Sequence, residues 1–500
     1  MYDVNHLISR LRAASVTHET RNFATFPARA SMTFGELFAG AERNAAALVA
    51  MGVKPGDRVA VQVEKTIEAI QLYLGTVMAG GVFLPLNTAY TTPEVAYFLG
   101  DARPRVLVCD PARADDLAEV AGDARVVTLD GQELGSLTDA VVGRGGFDPV
   151  PRGPDDLAAI LYTSGTTGRS KGAMLSHENL ASNSLMLRDY WQFSDQDVLI
   201  HALPIFHTHG LFVATNVALL AGARLVFLKG FNADEILDAM PRATALMGVP
   251  TFYTRLLADE RLTRERTANM RLFISGSAPL LVDTHEAWED RTGHRILERY
   301  GMTETNMSTS NPYVGERRAG TVGFPLPGVE ARIMADGKEV PQGEIGVLHV
   351  RGANVFQGYW QMPEKTAEEL LPDGWFITGD MARMDEDGYI TIVGRAKDLV
   401  ITGGFNVYPK EVESLIDGLP GVLESAVIGV PHPDFGEAVV AVVVPAGEGT
   451  SAEAVKAALS GQLAKFKQPK EVVLLDALPR NTMGKVQKKA LREGYAHLFA

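Results

Sequence analysis

The sequence lacks the features that mark secreted, membrane-spanning and nucleic-acid-binding proteins. Its 500 residues include one cysteine, Cys109, so no disulfide can form within the chain and a reducing compartment is expected. It has no run of about 18 apolar residues, as a membrane span would need, and the stretch 1–30 lacks the apolar core of a signal peptide. The net charge of −14 argues against general nucleic-acid binding, which requires a basic surface. These absences favour a cytoplasmic protein.

The length and the apolar pattern predict an α/β protein with at least two domains. A chain of 500 residues exceeds what one hydrophobic core usually serves, and its 46% hydrophobic and 22% charged residues are ordinary for a soluble protein. Stretches with helical periodicity, such as 66–80, alternate with short apolar runs, which is typical of largely parallel sheets. The runs that we interpret as strands are 58–63, 105–110, 158–163, 197–203, 223–228, 244–249 and 271–276.

The pattern changes near residue 329, where short strands and glycine-rich turns predict a β-rich subdomain over about 329–394. Helices and strands alternate again further on. We therefore predict an N-terminal domain over 1–394, a hinge at 395–397 and a C-terminal domain over 398–500. Residues 451–500 contain nine Lys and Arg against four Asp and Glu. This excess fits a solvated face and an anion-binding surface equally well.

A glycine- and hydroxyl-rich segment, YTSGTTGRSKGAML at 162–175, follows an apolar strand and precedes a stretch with a helical pattern. Its small residues leave backbone N–H groups able to point inward and form an anion site, to which Lys171 adds charge. The spacing is not that of a Walker loop. Composition alone would favour a flexible turn, but the whole decapeptide TSGTTGRSKG is far more specific.

Five motifs, in this order along nearly the whole chain, resemble those of the adenylate-forming superfamily: TSGTTGRSKG, RYGMTET, TGD at 378–380, GRAKDLVITGGFNVYP at 394–409 and PRNTMGK at 479–485. Members include acyl-CoA synthetases, luciferases and the adenylation domains of peptide synthetases, and the sequence is most similar to malonyl-CoA synthetases. The resemblance implies a large N-terminal domain of layered α/β subdomains with a β-rich subdomain, and a small mobile α+β C-terminal domain. It also implies two half-reactions. A carboxylate attacks the α-phosphate of ATP, giving an acyl-adenylate and pyrophosphate, and the CoA thiol then displaces AMP.

The resemblance assigns the nucleotide and metal site by position in these motifs. Thr303 is expected at the α-phosphate, and Glu304 is expected to hold Mg²⁺, a hard cation that prefers oxygen ligands. Together with Lys485 these are the implied catalytic residues. Tyr300 is expected against adenine and Asp380 on the ribose hydroxyls. The full set of implied nucleotide-binding residues is Thr163, Ser164, Gly165, Thr166, Thr167, Gly168, Lys171, Ser277, Ala278, Pro279, Glu298, Arg299, Tyr300, Gly301, Met302, Asp380 and Arg395.

The resemblance also gives the C-terminal domain two tasks. Lys485 is expected to contact the reacting carboxylate and the α-phosphate during adenylation. The domain is then expected to swing, so that Gly403 and Gly404 reach the active site for the CoA step, because glycine lets the backbone approach a substrate closely. Lys397 occupies the hinge position, where many relatives carry Asp.

Arg299 is the residue that points to the substrate. It lies in LERYGMTET at 297–305, at the end of a predicted strand, and a guanidinium is costly to bury without a partner. A second carboxylate on the acid would pair with it bidentately, which predicts a short diacid. An internal ion pair, for example with Glu298, stays open as the alternative, although neighbours on a strand face opposite sides.

The candidates for the acid-binding pocket combine cations, a hydroxyl and a histidine. The resemblance implies malonate as the best fit among short diacids, and methylmalonate would be disfavoured by only about 1–3 kcal/mol for its extra methyl group. An acid without the second carboxylate would be rejected by on the order of 10⁴-fold. A structural role for the histidine stays open. The candidate residues are His207, Arg255, Ser277, Arg299 and Met302.

The predicted function is an AMP-forming ligase that joins malonate, and also methylmalonate, to CoA with ATP and Mg²⁺. Three alternatives stay open: a ligase for another small acid, an enzyme that loads a carrier protein, and a non-catalytic nucleotide-binding relative. The expected partners are small molecules, with neither nucleic acid nor a membrane. A lysine acetyltransferase that acts on Lys485 and a homodimer are further expectations.

Overall fold

The computed structural model describes residues 2–163, 170–402, 405–447, 449–460, 462–481 and 484–499. Within these ranges, no helix has the length and apolar character that crossing a membrane requires. The chain divides into two compact units, one formed by Met1–Glu330 and Val350–Phe376 and the other by Ala331–His349 and Ile377–Ala500. The hinge predicted at 395–397 falls inside the second unit and stays a prediction.

The strands of the described residues are mostly short. In chain order they are β1 (Asn22–Thr25), β2 (Met32–Thr33), β3 (Arg58–Gln62), β4 (Val82–Pro85), β5 (Val106–Cys109), β6 (Arg125–Thr128), β7 (Leu157–Thr163), β8 (Lys171–Ser176), β9 (Val198–His201), β10 (Arg224–Phe227), β11 (Ala245–Gly248), β12 (Leu272–Ser275), β13 (Leu297–Met302), β14 (Asn306–Ser310), β15 (Phe324–Pro325), β16 (Val329–Ala335), β17 (Lys338–Glu339), β18 (Gly346–Gly352), β19 (Phe376–Met384), β20 (Ile390–Arg395), β21 (Val400–Thr402), β22 (Phe405–Val407), β23 (Val422–His432), β24 (Gly436–Pro445) and β25 (Glu471–Leu474).

Several helices begin at a side-chain cap; Thr33 and Ser176, for example, form capping boxes at the starts of the helices Phe34–Ala50 and His177–Tyr190. A π-helix covers His209–Thr215. The α-helices are α1 (His6–Ala13), α2 (Phe34–Ala50), α3 (Ile67–Met78), α4 (Thr92–Ala102), α5 (Ala114–Ala118), α6 (Ser136–Val141), α7 (His177–Tyr190), α8 (Asn216–Ala221), α9 (Ala233–Ala239), α10 (Pro250–Leu257), α11 (Val282–Thr292), α12 (Pro363–Glu369), α13 (Pro409–Asp417), α14 (Ala452–Ser460) and α15 (Lys488–Tyr495).

Two sheets of mainly parallel strands form the framework of the first unit. The larger has the order β15-β14-β13-β12-β11-β9-β10-β1-β2, with parallel pairing from β13 through to β1. The smaller has the order β6-β5-β3-β4-β7-β8 and is parallel except between β7 and β8. Every residue of β5 and β11 is buried, because helices cover both faces of such sheets. Ligands bind beyond the carboxyl ends of parallel strands, which directs attention to the segments after β9, β11, β12 and β13.

The second unit contains most of the sheet β17-β16-β18-β19-β20 and a sheet in which β24 lies between β21 and β23 and also pairs with β25. The long hairpin β23–β24 is apolar on both faces. Alternate residues, such as Val427 and Val439 against Ile428 and Val440, belong to two different cores. A helix-covered sheet therefore explains the almost continuous valine run of β24.

The predicted α/β fold is confirmed, and the seven predicted strands correspond to β3, β5, β7, β9, β10, β11 and β12. The helix predicted to follow the segment 162–175 is confirmed, since α7 begins at His177 with Ser176 as its N-cap. Before this helix, Lys171–Ser176 is strand β8, which pairs antiparallel with β7.

Candidate active site

The carboxyl ends of neighbouring parallel strands bring Arg299 against the segment that follows β12. Arg299 lies on β13, is 3% exposed, and its guanidinium covers Gly276, where any Cβ atom would clash with it. Its Nε and Nη2 atoms make no hydrogen bond to the described residues. Burial lowers the pKa of Arg299 to about 9, so the side chain is still charged at neutral pH. The site therefore holds a buried cation with two unused donors.

Glu298 is not the partner of Arg299. Its Oε1 atom lies 3.1 Å from Nδ1 of His285 and accepts a hydrogen bond from the backbone N–H of Gly320 at 3.1 Å. The two side chains of consecutive strand residues thus reach different neighbours, as the period of a strand requires. The ion pair that the sequence left open is not formed, and a nucleotide-binding role for Glu298 stays a prediction.

A serine in a strained conformation and a buried histidine lie beside the guanidinium. Ser277 has φ +70°, a value that non-glycine residues rarely adopt and that is often found at functional sites. Its Oγ atom is 3.4 Å from Nδ1 of His209. Burial, and then the charge of Arg299, lower the pKa of His209 well below its usual range, so this imidazole is neutral. The Nε2 atom of His209 has no partner among the described residues.

The structure places the other predicted pocket residues less directly. His207 precedes the π-helix, and its Nδ1 atom lies 3.4 Å from the backbone nitrogen of His209. Arg255 is exposed, and its guanidinium carbon lies 5.4 Å from the ring centre of Phe231. Tyr253 of the same helix is fully buried; burial raises its pKa, and the positive charge of Arg299 acts in the opposite direction. The pocket roles of His207, Arg255 and Met302 stay predictions.

The turn after β13 carries the predicted phosphate and metal residues. Thr303 is half-buried and Glu304 is 5% exposed. Gly301 is required at the start of this turn, because a Cβ atom there would clash with the carbonyl oxygen of Asn306. The backbone carbonyl of Glu304 accepts from the N–H of Phe356 at 2.8 Å, and its Oε1 atom accepts from the hydroxyl of Tyr359 at 3.0 Å. The first bond holds the backbone of Glu304, and the second holds its carboxylate.

Mg²⁺ fits this turn. The ion usually takes one or two protein carboxylates and completes its shell with phosphate oxygens and water. Glu304 offers a buried carboxylate whose Oε1 atom is held by Tyr359. Glu304 is thus the residue that would hold the ion, beside the phosphates of a nucleotide.

Lys171 begins β8 directly after the phosphate-loop motif. Its Nζ atom lies 3.1 Å from both carboxylate oxygens of Glu369 and 4.0 Å from the ring centre of Tyr359. Thr163, the last residue of β7, pairs with Lys171 across the hairpin. The motif residues Ser164, Gly165, Thr166, Thr167 and Gly168 lie outside the described residues, so their predicted phosphate contacts stay predictions.

The remaining predicted nucleotide-binding residues of the first unit lie near the carboxyl ends of β12 and β13. Ala278 and Pro279 are exposed directly after Ser277. Tyr300 is half-buried and lies opposite Thr309 on β14, next to an irregularity in the β13–β14 ladder. This placement is compatible with the predicted contact to adenine, which stays a prediction.

In the second unit, Asp380 and Arg395 are directly opposite each other on β19 and β20. The carboxylate of Asp380 is buried, and its Oδ1 atom lies 2.8 Å from Nε of Arg395. The backbone N–H of Asp380 donates to Oγ1 of Thr378 at 3.0 Å. The two predicted ribose residues are therefore brought together as one charged pair.

Lys485 is exposed on a loop of the same unit, where its backbone N–H donates to Oδ1 of Asn481 at 2.9 Å. Lys397 lies in a short 3₁₀-helix next to Asp398, which pairs with Arg492 at 2.8 Å. Gly403 and Gly404 lie outside the described residues. The roles of all four in catalysis and in the hinge stay predictions.

Three residues of the site were missed at the level of sequence. His209 was passed over in favour of His207, although both occur in the same IFHTHG motif. Tyr359 and Glu369 carry no recognisable local signal, and only the fold brings them to Glu304 and Lys171.

Comparisons with known proteins agree with this geometry. Residues 11–360 match the AMP-binding enzyme family, and residues 411–485 match the AMP-binding enzyme C-terminal domain. A crystal structure of ATP-bound MatB from Rhodopseudomonas palustris is 60% identical, with a TM-score of 0.97 over 99% of this chain and 100% of that one. A malonate–CoA ligase from Arabidopsis thaliana is 35% identical over 479 residues, 88% of this chain and 78% of that protein. A feruloyl-CoA synthase from an Amycolatopsis species is 37% identical over 472 residues, 93% and 94% of the two chains.

Proposed function

This chain belongs to the family of AMP-binding enzymes, and we propose that it joins malonate to CoA at the expense of ATP, through malonyl-adenylate, with release of AMP and pyrophosphate. Its similarity to an ATP-bound MatB structure and to malonate–CoA ligases supports this reaction. Methylmalonate is the proposed second substrate. The family alone does not choose the acid, because a feruloyl-CoA synthase is as similar to this chain as the malonate–CoA ligase from Arabidopsis thaliana is.

The observation that carries the choice of acid is the buried guanidinium of Arg299. Its Nε and Nη2 atoms have no partner among the described residues, and it covers Gly276 at the carboxyl end of β12. A dicarboxylic acid has a second carboxylate that would accept both hydrogen bonds bidentately and offset the desolvation of the cation. An uncharged aromatic tail, such as that of ferulate, would leave the cation buried and unpaired. Malonate places its two carboxylates one carbon apart and is the short diacid that the sequence predicts.

In the first half-reaction the protein has to position two anions that repel each other. We propose that Arg299 holds the distal carboxylate of malonate, so that the other carboxylate faces the α-phosphate. The hydroxyl of Thr303 donates a hydrogen bond to that phosphate group, and Lys171 adds positive charge at the outer phosphates. Glu304 holds Mg²⁺, which neutralises phosphate charge when it is bound.

The second unit contributes the remaining groups of the proposed mechanism. Asp380 accepts hydrogen bonds from the ribose hydroxyls, and Arg395 keeps its carboxylate in place through the 2.8 Å contact. Lys485 supplies a mobile positive charge to the reacting carboxylate and the α-phosphate. For the thioester step, Gly403 and Gly404 allow close approach of the pantetheine chain. We also propose the cytoplasm as the setting, since the buried Cys109 fits a reducing compartment.

Lys485 is the proposed target of a regulatory acetyltransferase. The residue is exposed, so a modifying enzyme could reach it, and acetylation would remove the charge on which adenylation depends. A homodimer is the proposed assembly, and its test is the mass of the protein in solution.

The experiment that tests the proposed function measures CoA-dependent AMP formation, with ATP and Mg²⁺, from malonate, methylmalonate, succinate, acetate, propionate and ferulate. We expect malonate to exceed the monocarboxylates by on the order of 10⁴-fold in kcat/KM, because they leave Arg299 unpaired. Comparable activity with propionate or ferulate would assign Arg299 to the scaffold and would overturn the choice of acid, although not the reaction class.

A further inference from the structure

The hydroxyl of Tyr359 lies between two carboxylates of different predicted function. Its oxygen is 3.0 Å from Oε1 of Glu304, the proposed Mg²⁺ ligand, and 2.6 Å from Oε2 of Glu369. A hydroxyl group has one hydrogen, so it can donate to only one of these carboxylates at a time. The two acids therefore compete for a single hydrogen bond.

Glu369 is also the partner of Lys171, the residue predicted to hold the outer phosphates of ATP. Nζ of Lys171 lies 3.1 Å from each oxygen of Glu369, and Lys365 approaches the same carboxylate at 2.9 Å. Glu369 thus occupies Lys171 with a negative charge, as a phosphate group would. Any nucleotide that uses Lys171 has to compete with this ion pair.

The backbone fixes Tyr359 in this position from both sides. The N–H of Phe356 donates to the carbonyl of Glu304 at 2.8 Å, and the N–H of Trp360 donates to the carbonyl of Gly172 on β8 at 2.8 Å. The N–H of Tyr359 itself donates to Oγ1 of Thr366, at the middle of α12, at 2.8 Å. Segment 356–360 therefore connects the turn that carries Glu304 with the strand that carries Lys171. All these residues belong to the first compact unit.

We propose that Tyr359 and Glu369 are positioning residues that couple Mg²⁺ binding at Glu304 to phosphate binding at Lys171. When Glu304 is engaged by the ion, it no longer needs the hydroxyl hydrogen, and Tyr359 donates to Glu369 alone. Glu369, now better satisfied, holds Lys171 less strongly and releases it to the phosphates. The coupling is reciprocal, because binding free energies at two linked sites depend on each other equally. The inference rests on the proposed roles of Glu304 and Lys171.

The test is calorimetric binding of a non-hydrolysable α,β-methylene ATP to the full chain, with Mg²⁺ and with a chelator. The ratio of the two dissociation constants is the coupling factor. We expect Tyr359→Phe, which keeps the ring and removes only the hydroxyl, to reduce this factor by about 5-fold or more. Affinity without Mg²⁺ should stay within about 2-fold of the original, since the ring still packs against Lys171. Glu369→Gln should also reduce the factor, but by raising affinity in the absence of Mg²⁺.

Two further variants make the outcome decisive. Tyr73→Phe removes another buried tyrosine hydroxyl, one that lies 3.4 Å from Oδ1 of Asn216, and should leave the factor unchanged. Glu304→Gln should abolish most of the coupling between Mg²⁺ and the ATP analogue. An unchanged factor in Tyr359→Phe beside a reduced one in Glu304→Gln would overturn the coupling and leave the proposed site standing. Unchanged coupling factors in both variants would reject the metal role of Glu304 as well. If Tyr359→Phe weakened affinity for the ATP analogue equally with and without Mg²⁺, the role of Tyr359 would be structural and the coupling would be overturned.

Discussion

Replacement of Arg299 by methionine should leave the protein at least as stable as before while removing its activity on malonate. This expectation is unusual for a residue that is 3% exposed, because substitution of a buried arginine normally destabilises a fold. It follows from the two donor atoms of Arg299 that have no partner among the described residues. Methionine follows much of the same path with an apolar chain that needs no hydrogen bonds.

The magnitude can be worked from these contacts. Each unpaired buried donor costs about 1–3 kcal/mol, which the substitution recovers. The smaller side chain leaves a void whose cost is about 1–3 kcal/mol. Two such donors together recover about 2–6 kcal/mol, so the midpoints of these ranges give a net change in the free energy of unfolding of about 2 kcal/mol in favour of the variant. If Arg299 were instead held in an internal ion pair, its loss would destabilise the protein by about 3–5 kcal/mol.

Arg271→Met is the matched control. Arg271 lies in the same unit, and its Nε atom is 2.7 Å from Oδ1 of the buried carboxylate of Asp197. Removing this arginine leaves a buried charge without its partner, so we expect a clear loss of stability. Denaturant unfolding of both variants without ligand gives the comparison. Equal destabilisation of the two would refute the interpretation of Arg299 as an unpaired cation.

Kinetics complete the test of Arg299→Met. Loss of one partner of a buried charged hydrogen bond costs about 2–5 kcal/mol, so kcat/KM for malonate should fall by about 30- to 5000-fold. Calorimetric affinity for the ATP analogue should change little, because the guanidinium is assigned to the acid. Propionate should become a relatively better substrate than before. Parallel losses in malonate turnover and nucleotide affinity would place Arg299 in the scaffold.

Three further changes have defined outcomes. Gly276→Ala forces the guanidinium of Arg299 aside, so malonate kcat/KM should fall by about 10-fold or more, whereas Gly100→Ala, at a site with open space, should not change it. Lys485→Ala should abolish pyrophosphate exchange yet spare thioester formation from supplied malonyl-adenylate, and equal loss of both steps would contradict the two-stage scheme. Burial raises the pKa of Asp417 from 3.8 to about 6, so the native state binds more protons between these values and stability falls as pH rises through 6. Asp417→Asn should therefore be more stable than the original above pH 6, by about 1–3 kcal/mol, and equal to it below pH 4, as pH-dependent unfolding will show.

The features that sequence could predict are those with a local period or a long motif. The alternation of a strand already separated Glu298 from Arg299, and the structure gives them different surroundings. Apolar runs located the central parallel strands because both faces of such strands are buried. Strand β8 was missed because Lys171–Ser176 contains no β-branched residue, and only its pairing with β7 makes it a strand.

The parts of the site that sequence could not predict depend on contacts between distant segments. His209 lies in a π-helix whose irregular carbonyl at Gly210 is satisfied by Nε2 of His201 and Oγ1 of Thr215. No local sequence pattern predicts this π-helix. The sequence therefore could not decide whether His207 or His209 lies beside Arg299. Glu369 reaches Lys171 across 198 positions of the chain. Such partners are visible only once the strands have been placed side by side.

An unpaired buried arginine is a cost to folding, and the proposed binding of a dicarboxylic acid gives a reason for that cost. If the fold supplied an internal carboxylate, malonate would have to displace it, and the gain on binding would be the small difference between two similar ion pairs. Because Nε and Nη2 of Arg299 have no partner in the described chain, an incoming carboxylate gains both hydrogen bonds and relieves the desolvation of the cation. The strained φ of +70° at Ser277 lies directly beside it. In the proposed function, these two unused donors are the source of selectivity for a second negative charge, which is why removing the arginine should strengthen the fold and weaken the enzyme.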